Sequence, residues 1–409
     1  MRILYTFLLR CYITGIRIAA FWNSKAREWV EGRRDVWGSV SKFQRRNVPC
    51  YWFHCASLGE FEQGRPLMEA LKQREDCQLV ITFFSPSGYR IRKNYDLADA
   101  VFYLPADTRK NARKFLERIC PTSVLFIKYE FWPNYILSCA EQKIPIWSVS
   151  ALFRSNQIFF RWYGGFMRKV LRSFTGIFVQ NEASAELLKG IGLKSTVAGD
   201  TRYDRVMSNA SSAKHFPEIE KFGDGKKVLV CGSVWNEDIL VLAPLINGLG
   251  ADWKVIIAPH EIDEANIRSL EEHLKISSIR YSSLTVGSSP LTVDFSVLII
   301  DNIGMLMHLY QYGQVAYIGG AFRTGLHNIL EPAAFGLPVI LGPKHEKFPE
   351  AKEFISAGIG FSVASADELR PRFDQLKASP KLRTKVLEFM ESRKGATEVI
   401  LGIVTPKVD

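Results

Sequence analysis

Short apolar runs alternate with stretches of helical period along most of this chain, and that rhythm restricts its fold more than any other feature. The runs stand at residues 51–54, 79–84, 100–103, 124–127, 146–149 and 176–179, with helix-patterned segments such as 61–72 and 108–118 between them. After a polar stretch at 208–227, rich in Ser, Asn, Pro, Gly and Lys, the rhythm restarts at 228–231, 253–257, 295–300, 314–318 and 339–341. Strands alternating with helices at this spacing predict an α/β protein with largely parallel, doubly wound sheets. A length of 409 residues is too great for one ordinary core. The reading is therefore a membrane-associated segment at 1–34, a Rossmann-like domain at 35–207, a linker at 208–227 and a second Rossmann-like domain at 228–409. Two such domains in tandem place a cleft between two sheet edges, which suits a two-substrate reaction.

Chemistry concentrates where strands end. The segment GGAFRTGLHNILEPAAFGLPVILGP, residues 319–343, reads as a strand delivering a Gly-Gly turn, a loop, a helix opened by Asn328, Glu331 and Pro332, and a second strand. A helix start at the carboxyl edge of a parallel sheet offers N–H groups to a phosphate, and Glu331 can accept hydrogen bonds from sugar hydroxyls. Helix capping alone would account for the same polar residues. His327 reads as a hydrogen-bond donor.

Glu60 lies in HCASLGEFEQG at a helix start after the first strand, where the helix dipole predicts a lowered pKa. It suits a base that takes a proton from a hydroxyl, and equally a cap. Glu130 follows the strand at 124–127 among aromatics in KYEFWPN, where a carboxylate needs a cationic or hydrogen-bonding partner. Arg202, in GDTRYDR, is a candidate to neutralise charge or a surface ion-pair partner. Pro259-His260 and Asn302-Ile303-Gly304 close two later strands, and their backbone can read a nucleobase or a phosphate. No metal-binding histidine spacing, phosphate-binding GxxxxGK[ST] loop, GxSxG elbow or GxGxxG fingerprint is present.

The net charge of +11 favours an anionic partner, and without a nucleic-acid motif that partner is a membrane or a phosphorylated ligand rather than nucleic acid. Seven cysteines without a CxxC pair suit a reducing compartment. Residues 1–22 are apolar and aromatic, and Arg2, Arg10 and Arg17 fall within an arc of about 80° on a helical wheel. An interfacial helix would sink Tyr5, Phe7, Leu8, Ile13, Phe21 and Trp22 into lipid and turn its cations, with Lys25, Arg27, Arg33 and Arg34, to anionic headgroups. A helix packed on its own domain and a tilted span fit the same residues.

Five blocks in order, ASLGEFEQGRPL, KYEFWPN, GDTRYDR, DNIGMLMHLY and the 319–343 segment, resemble the bacterial Kdo transferases of glycosyltransferase family 30 over nearly the whole chain. Those enzymes add 3-deoxy-D-manno-oct-2-ulosonic acid (Kdo) to a lipid A precursor. The resemblance implies the GT-B fold, CMP-Kdo as donor, inversion without a bound metal or cofactor, and a place on the cytoplasmic side of the inner membrane. It implies Glu60 as general base, Glu130 and Arg202 as transition-state groups, and CMP held by Pro259, His260, Ile303, Gly304, Met305, Asn328, Ile329, Leu330 and Glu331. Many members have Arg where this chain has His260 and Lys where it has Arg202, and Met305 and Leu326 also depart from the common pattern. Other readings are a different GT-B enzyme, such as a hexosaminyltransferase or an epimerase, and a non-catalytic lipid- or sugar-binding protein.

Overall fold

Two seven-stranded sheets, parallel throughout, carry the fold in a computed structural model that describes residues 1–286, 294–323, 325–377, 379 and 381–405. The first holds β1 (Cys50–Cys55), β2 (Gln78–Phe83), β3 (Ala100–Tyr103), β4 (Ser123–Ile127), β5 (Ile146–Ala151), β6 (Gly176–Val179) and β7 (Thr196–Val197), in the order β3-β2-β1-β4-β5-β6-β7. Residues in β1, β2, β4 and β5 are buried without exception, as a sheet covered on both faces requires. Alternate β1 side chains feed two cores: Cys50 and Trp52 pack with Phe115 and Tyr135, whereas Tyr51, Phe53 and Cys55 pack with Phe61 and Leu71.

The second sheet holds β8 (Lys227–Val234), β9 (Trp253–Pro259), β10 (Ser278–Arg280), β11 (Val297–Ile299), β12 (Val315–Ile318), β13 (Val339–Leu341) and β14 (Gly360–Ser362), in the order β10-β11-β9-β8-β12-β13-β14. Each sheet reverses its winding once, between β1 and β4 and between β8 and β12. In doubly wound sheets ligands bind outside the carboxyl ends of the strands at such reversals.

The chain divides differently from the sequence reading. One compact unit contains residues 1–205 together with 393–405, and the other is Val206–Ser392. The stretch taken as a linker contains the helix Pro217–Gly223, whose Ile219 and Phe222 are buried. The last helix, Ala396–Val404, belongs to the first unit instead of the second. Its Ile400, Leu401 and Val404 join the core with Phe61, Leu67 and Leu71. Asp204 fixes its start, accepting from the N–H groups of Gly395 and Thr397 and from the Thr397 hydroxyl, each at 2.7 Å.

The N-terminal helix, Arg2–Ala19, is docked on the first unit along one side. Tyr5 donates to Asp107 Oδ2 at 2.8 Å, Arg2 donates to Asn134 Oδ1 at 2.7 Å and Glu141 Oε1 at 2.5 Å, and Leu9 is buried. The opposite side is apolar and open: Ile3 is 87% exposed, and Leu4, Phe7, Leu8 and Ile18 are exposed with it. Arg10 and Arg17 border that side, and Phe21 and Trp22 continue it beyond the helix end, all exposed. The expected stripe thus loses members. Arg2 and Tyr5 are spent on docking, Ile13 is half-buried, and Arg33 sits over the rings of Trp29 and Tyr103, donating to the Phe84 carbonyl at 2.6 Å. Among the described residues no single helix is long and apolar enough to cross a membrane. Arg2–Ala19 and Ser24–Ser41 reach that length and composition only as a pair bent by 117°.

Candidate active site

At the β1/β4 reversal the chain places two carboxylates. Ser57 opens the helix Leu58–Arg74, and Glu60, in its first turn, folds back over the helix start. Its Oε2 accepts from the N–H of Ala56 in a short bond and from that of Ser57 at 3.3 Å. This is a capping arrangement, yet only 8% of Glu60 is exposed. Burial, with the nearby charge of Glu130 second, pushes the Glu60 carboxyl up to about 7, against the pull of the two N–H groups and Lys128. The lowered pKa expected from the helix dipole is therefore reversed. Desolvation and a like charge outweigh the helix N-terminus.

Glu130 follows β4 by way of Lys128, which turns the chain in the left-handed region (φ 64°) just past the strand. Its Oε2 accepts from Trp132 Nε1 at 2.5 Å and lies 3.2 Å from Nε2 of the fully buried His54 at the end of β1. The partner that the sequence required of Glu130 is thus His54 with Trp132. Behind burial, Glu60 and Glu130 both raise the Cys55 thiol, Glu130 adds to the rise of Tyr5 and Glu60 to that of Tyr129.

Arg202 lies in the same unit, in the helix Thr201–Ser211. Its Nε and Nη2 reach Asp200 Oδ2 at 2.9 and 2.8 Å. Asp200 also accepts from Gln63 Nε2 at 3.4 Å, and Thr201 Oγ1 donates to the Gln63 carbonyl at 2.5 Å. Gln63 is one turn beyond Glu60, so the helix that bears Glu60 and the Arg202 turn are joined by hydrogen bonds. Tyr129 marks their common ground: its hydroxyl responds to Arg154 and Arg202 and, in the opposite sense, to Glu60 and Asp200.

At the β8/β12 reversal of the second unit, the Gly319-Gly320 turn is held by Asp238. This buried carboxylate accepts from the N–H groups of Trp235 and Gly320 and from the Tyr317 hydroxyl, at 2.9, 2.9 and 2.8 Å. A Cβ on Gly319 would stand 2.3 Å from the Ser233 carbonyl oxygen, so the backbone there passes where no other residue fits. Sequence reasoning missed Asp238, although an acid three residues after Trp235 at a helix start is a capping signal.

Around this turn the rings of Trp235 and His260 stack with centroids 4.1 Å apart, and Arg323 lies 4.3 Å over the indole. Trp235 Nε1 donates to His327 Nε2 at 3.0 Å. Burial, then His260, lowers the His327 pKa to about 4, so the ring is neutral and this nitrogen accepts. The expected donor role falls to Nδ1 alone. Just before the short helix Leu330–Ala334, Asn328 Oδ1 accepts from the N–H of Leu330 at 3.1 Å and its Nδ2 donates to Glu331 Oε1 at 2.9 Å. Ile329 and Leu330 are buried in the core and Met305 nearly so, leaving mainly their backbone for a ligand. Ile303 is exposed, and Gly304 (φ 96°) turns the chain beside it. Pro259 ends β9. Among the described residues no cluster of His, Cys, Asp or Glu has metal-holding geometry.

Residues 32–205 match the family model described as 3-Deoxy-D-manno-octulosonic-acid transferase (kdotransferase). The chain is 28% identical to the 3-deoxy-D-manno-octulosonic acid transferase of Aquifex aeolicus, over 84% of this chain and 90% of that protein. It is 27% identical to the enzyme of the same name from Chlamydophila psittaci, over 87% of this chain and 85% of that protein. In fold it is similar to the UDP-GlcNAc 2-epimerase of Neisseria meningitidis (TM-score 0.60, 17% identity, 86% of this chain and 98% of that one). It is also similar to the MurG protein of Acinetobacter baumannii (TM-score 0.55, 11% identity, 87% and 99%).

Proposed function

We propose that this chain is a member of the 3-deoxy-D-manno-octulosonic acid transferase family, with the GT-B fold, and that it transfers Kdo from CMP-Kdo to a lipid A precursor. The observation that carries the mechanism is Glu60: a buried carboxyl at a sheet reversal, raised to about 7, where a general base is most effective near neutral pH. Glu60 takes the proton of an acceptor hydroxyl, whose oxygen attacks the anomeric C2 of Kdo from the face opposite the phosphate. CMP departs and the anomeric configuration inverts. The Glu130 carboxylate, held by Trp132 and His54, favours positive charge developing on the sugar ring. Arg202, oriented by Asp200, stands on the same edge to meet negative charge on the donor.

The second unit takes the nucleotide in this reading. The turn at Gly319-Gly320, the Asn328–Glu331 pair and the backbone of 303–305 offer N–H groups and a carboxylate suited to phosphate and ribose. His260 keeps its ring against Trp235, so stacking replaces a fixed cation there. The open apolar side of the helix Arg2–Ala19, bordered by Arg10 and Arg17, suits the interface of an anionic bilayer on the cytoplasmic side of the inner membrane. A turnover assay with CMP-Kdo and a tetra-acylated lipid A precursor, without added metal, tests the reading. Transfer that is absent in Glu60→Gln supports it. Heat protection by UDP and not by CMP would instead point to a UDP-sugar enzyme of the same fold.

A further inference from the structure

We propose that His54 is a positioning residue: its Nε2–H, directed by Thr82, fixes the Glu130 carboxylate beside Glu60, the group that takes the proton from the acceptor. This rests on the reading of Glu60 as base and Glu130 as its charged neighbour.

The sheet register sets up the arrangement. His54 on β1 pairs with Thr82 on β2 and with Phe126 on β4, so its ring lies between the strand that supplies Thr82 and the strand that leads to Glu130. Thr82 Oγ1 accepts from Trp52 Nε1 at 2.8 Å and lies 2.8 Å from His54 Nδ1. The other acceptor for the Thr82 hydroxyl hydrogen is the Phe53 carbonyl at 3.5 Å, a poor bond. The hydroxyl is best satisfied by donating to Nδ1, which places the imidazole hydrogen on Nε2, 3.2 Å from Glu130 Oε2. The opposite tautomer would set a lone pair against a carboxylate oxygen inside the protein. Trp132 Nε1 lies 2.5 Å from the same oxygen and 2.9 Å from His54 Nε2, and its single hydrogen goes to the nearer acceptor, the Glu130 oxygen, which leaves Nε2 to carry a hydrogen of its own.

A core histidine satisfied on both nitrogens would need no further explanation. What separates His54 is where its outward nitrogen points. Two carboxylates that share a buried site cannot both hold their charge cheaply, and whichever receives better hydrogen bonds stays ionised. Glu130 receives an indole and an imidazole N–H. Glu60 receives two backbone N–H groups but is the more deeply buried.

The test uses the full chain with CMP-Kdo and a lipid A precursor. His54→Leu should lower kcat about ten- to a hundredfold with little change in either KM, the usual worth of one hydrogen bond to a buried charge. His54→Gln, whose amide nitrogen can take the place of Nε2, should recover most of the loss. In a Glu130→Gln background, His54→Leu should cost nothing more. Thr82→Val leaves the imidazole in place and should lower kcat in the same sense if the side chain of His54 is present but undirected. Nitrogen NMR of 15N-histidine protein, assigned by loss of one signal in His54→Gln, should show Nε2 protonated. Wild-type kcat in His54→Leu beside an impaired Glu130→Gln overturns this proposal alone, as does an unprotonated Nε2. Wild-type turnover in Glu130→Gln overturns the reading of Glu130 and this proposal with it.

Discussion

Glu130 bears on Glu60 across the carboxyl ends of β1 and β4, and its charge is the second cause, after burial, of the raised Glu60 carboxyl. A base must be deprotonated to act, so kcat/KM should fall as pH drops through about 7. Glu130→Gln removes the like charge, which should move that acid limb to lower pH while reducing the maximum rate. Lys128 and the Ala56 and Ser57 N–H groups already pull in this direction and will set the new midpoint. A pH–rate profile of both proteins decides the point, and an unmoved limb would mean the two carboxylates are not coupled.

The same shift predicts a cost in stability. A carboxyl whose folded pKa is raised favours the fold when protonated, so its contribution is intact below the unfolded value of 4.5 and is lost as pH rises through about 7. Glu60→Gln should therefore be more stable than the wild type at pH 8, by on the order of 3 kcal/mol at most, and about equal to it near pH 4. Urea unfolding at the two pH values measures this. A variant that loses transfer while gaining stability shows the strain of a working site, whereas a simple cap would lose stability at both.

Gly319→Ala should abolish nucleotide binding by the second unit and destabilise it by about 1–3 kcal/mol, because the new Cβ has no room beside Ser233 and Asp238. CMP titration by calorimetry reports the first effect. Retained affinity would show that the Gly-Gly turn serves packing alone.

Asp204→Ala should free the start of the helix Ala396–Val404 by removing three hydrogen bonds at once. Loss of a helix cap costs about 0.5–2 kcal/mol, and here the loss should lie at the upper end. Hydrogen exchange across 396–404 should accelerate while the second unit is unaffected. Equal exchange would mean that the apolar contacts of Ile400 and Leu401 suffice.

Flotation with anionic vesicles tests the membrane surface. Replacing Phe7 and Leu8 with Ser should weaken association at any salt concentration, since both lie on the open side of the N-terminal helix. Replacing Arg10 and Arg17 with Gln should weaken it only at low salt, by about 1 kcal/mol per charge. Arg2 should be omitted from that set, because its loss would undock the helix from Asn134 and Glu141. Association that survives alkaline carbonate washing would show a deeper insertion than an interfacial helix.

Central strands were legible because a strand buried on both faces is an uninterrupted apolar run, and β1, β2, β4 and β5 are of that kind. The edge strands β7, β10 and β14 are two or three residues long and partly exposed, so they leave no such run. Glu60 and Glu130 were legible as acids at strand ends, but their coupling was not, since it exists only once the β1/β4 reversal brings them together. Its sign therefore overrode a rule drawn from the helix alone. His54 read as one more residue of an apolar strand. Its role depends on Thr82 and Glu130, which lie 28 and 76 positions away. Tyr5 and Ile13 read as lipid-facing because the pattern of a helix does not say which side its own domain will claim.

The return of residues 396–404 to the first unit bears on how this protein is made. The helix that begins at Glu60's turn has one flank covered by Ile400, Leu401 and Val404, which are translated only after the whole second unit. While the chain is being synthesised, the second unit can close on itself, but the first must wait with part of its apolar core open. Ribosome-bound chains ending at residue 392 should therefore be cleaved by protease within 58–74, and chains released beyond residue 404 should resist. The helix that carries Glu60 is thus covered last, after every strand of both sheets has been translated.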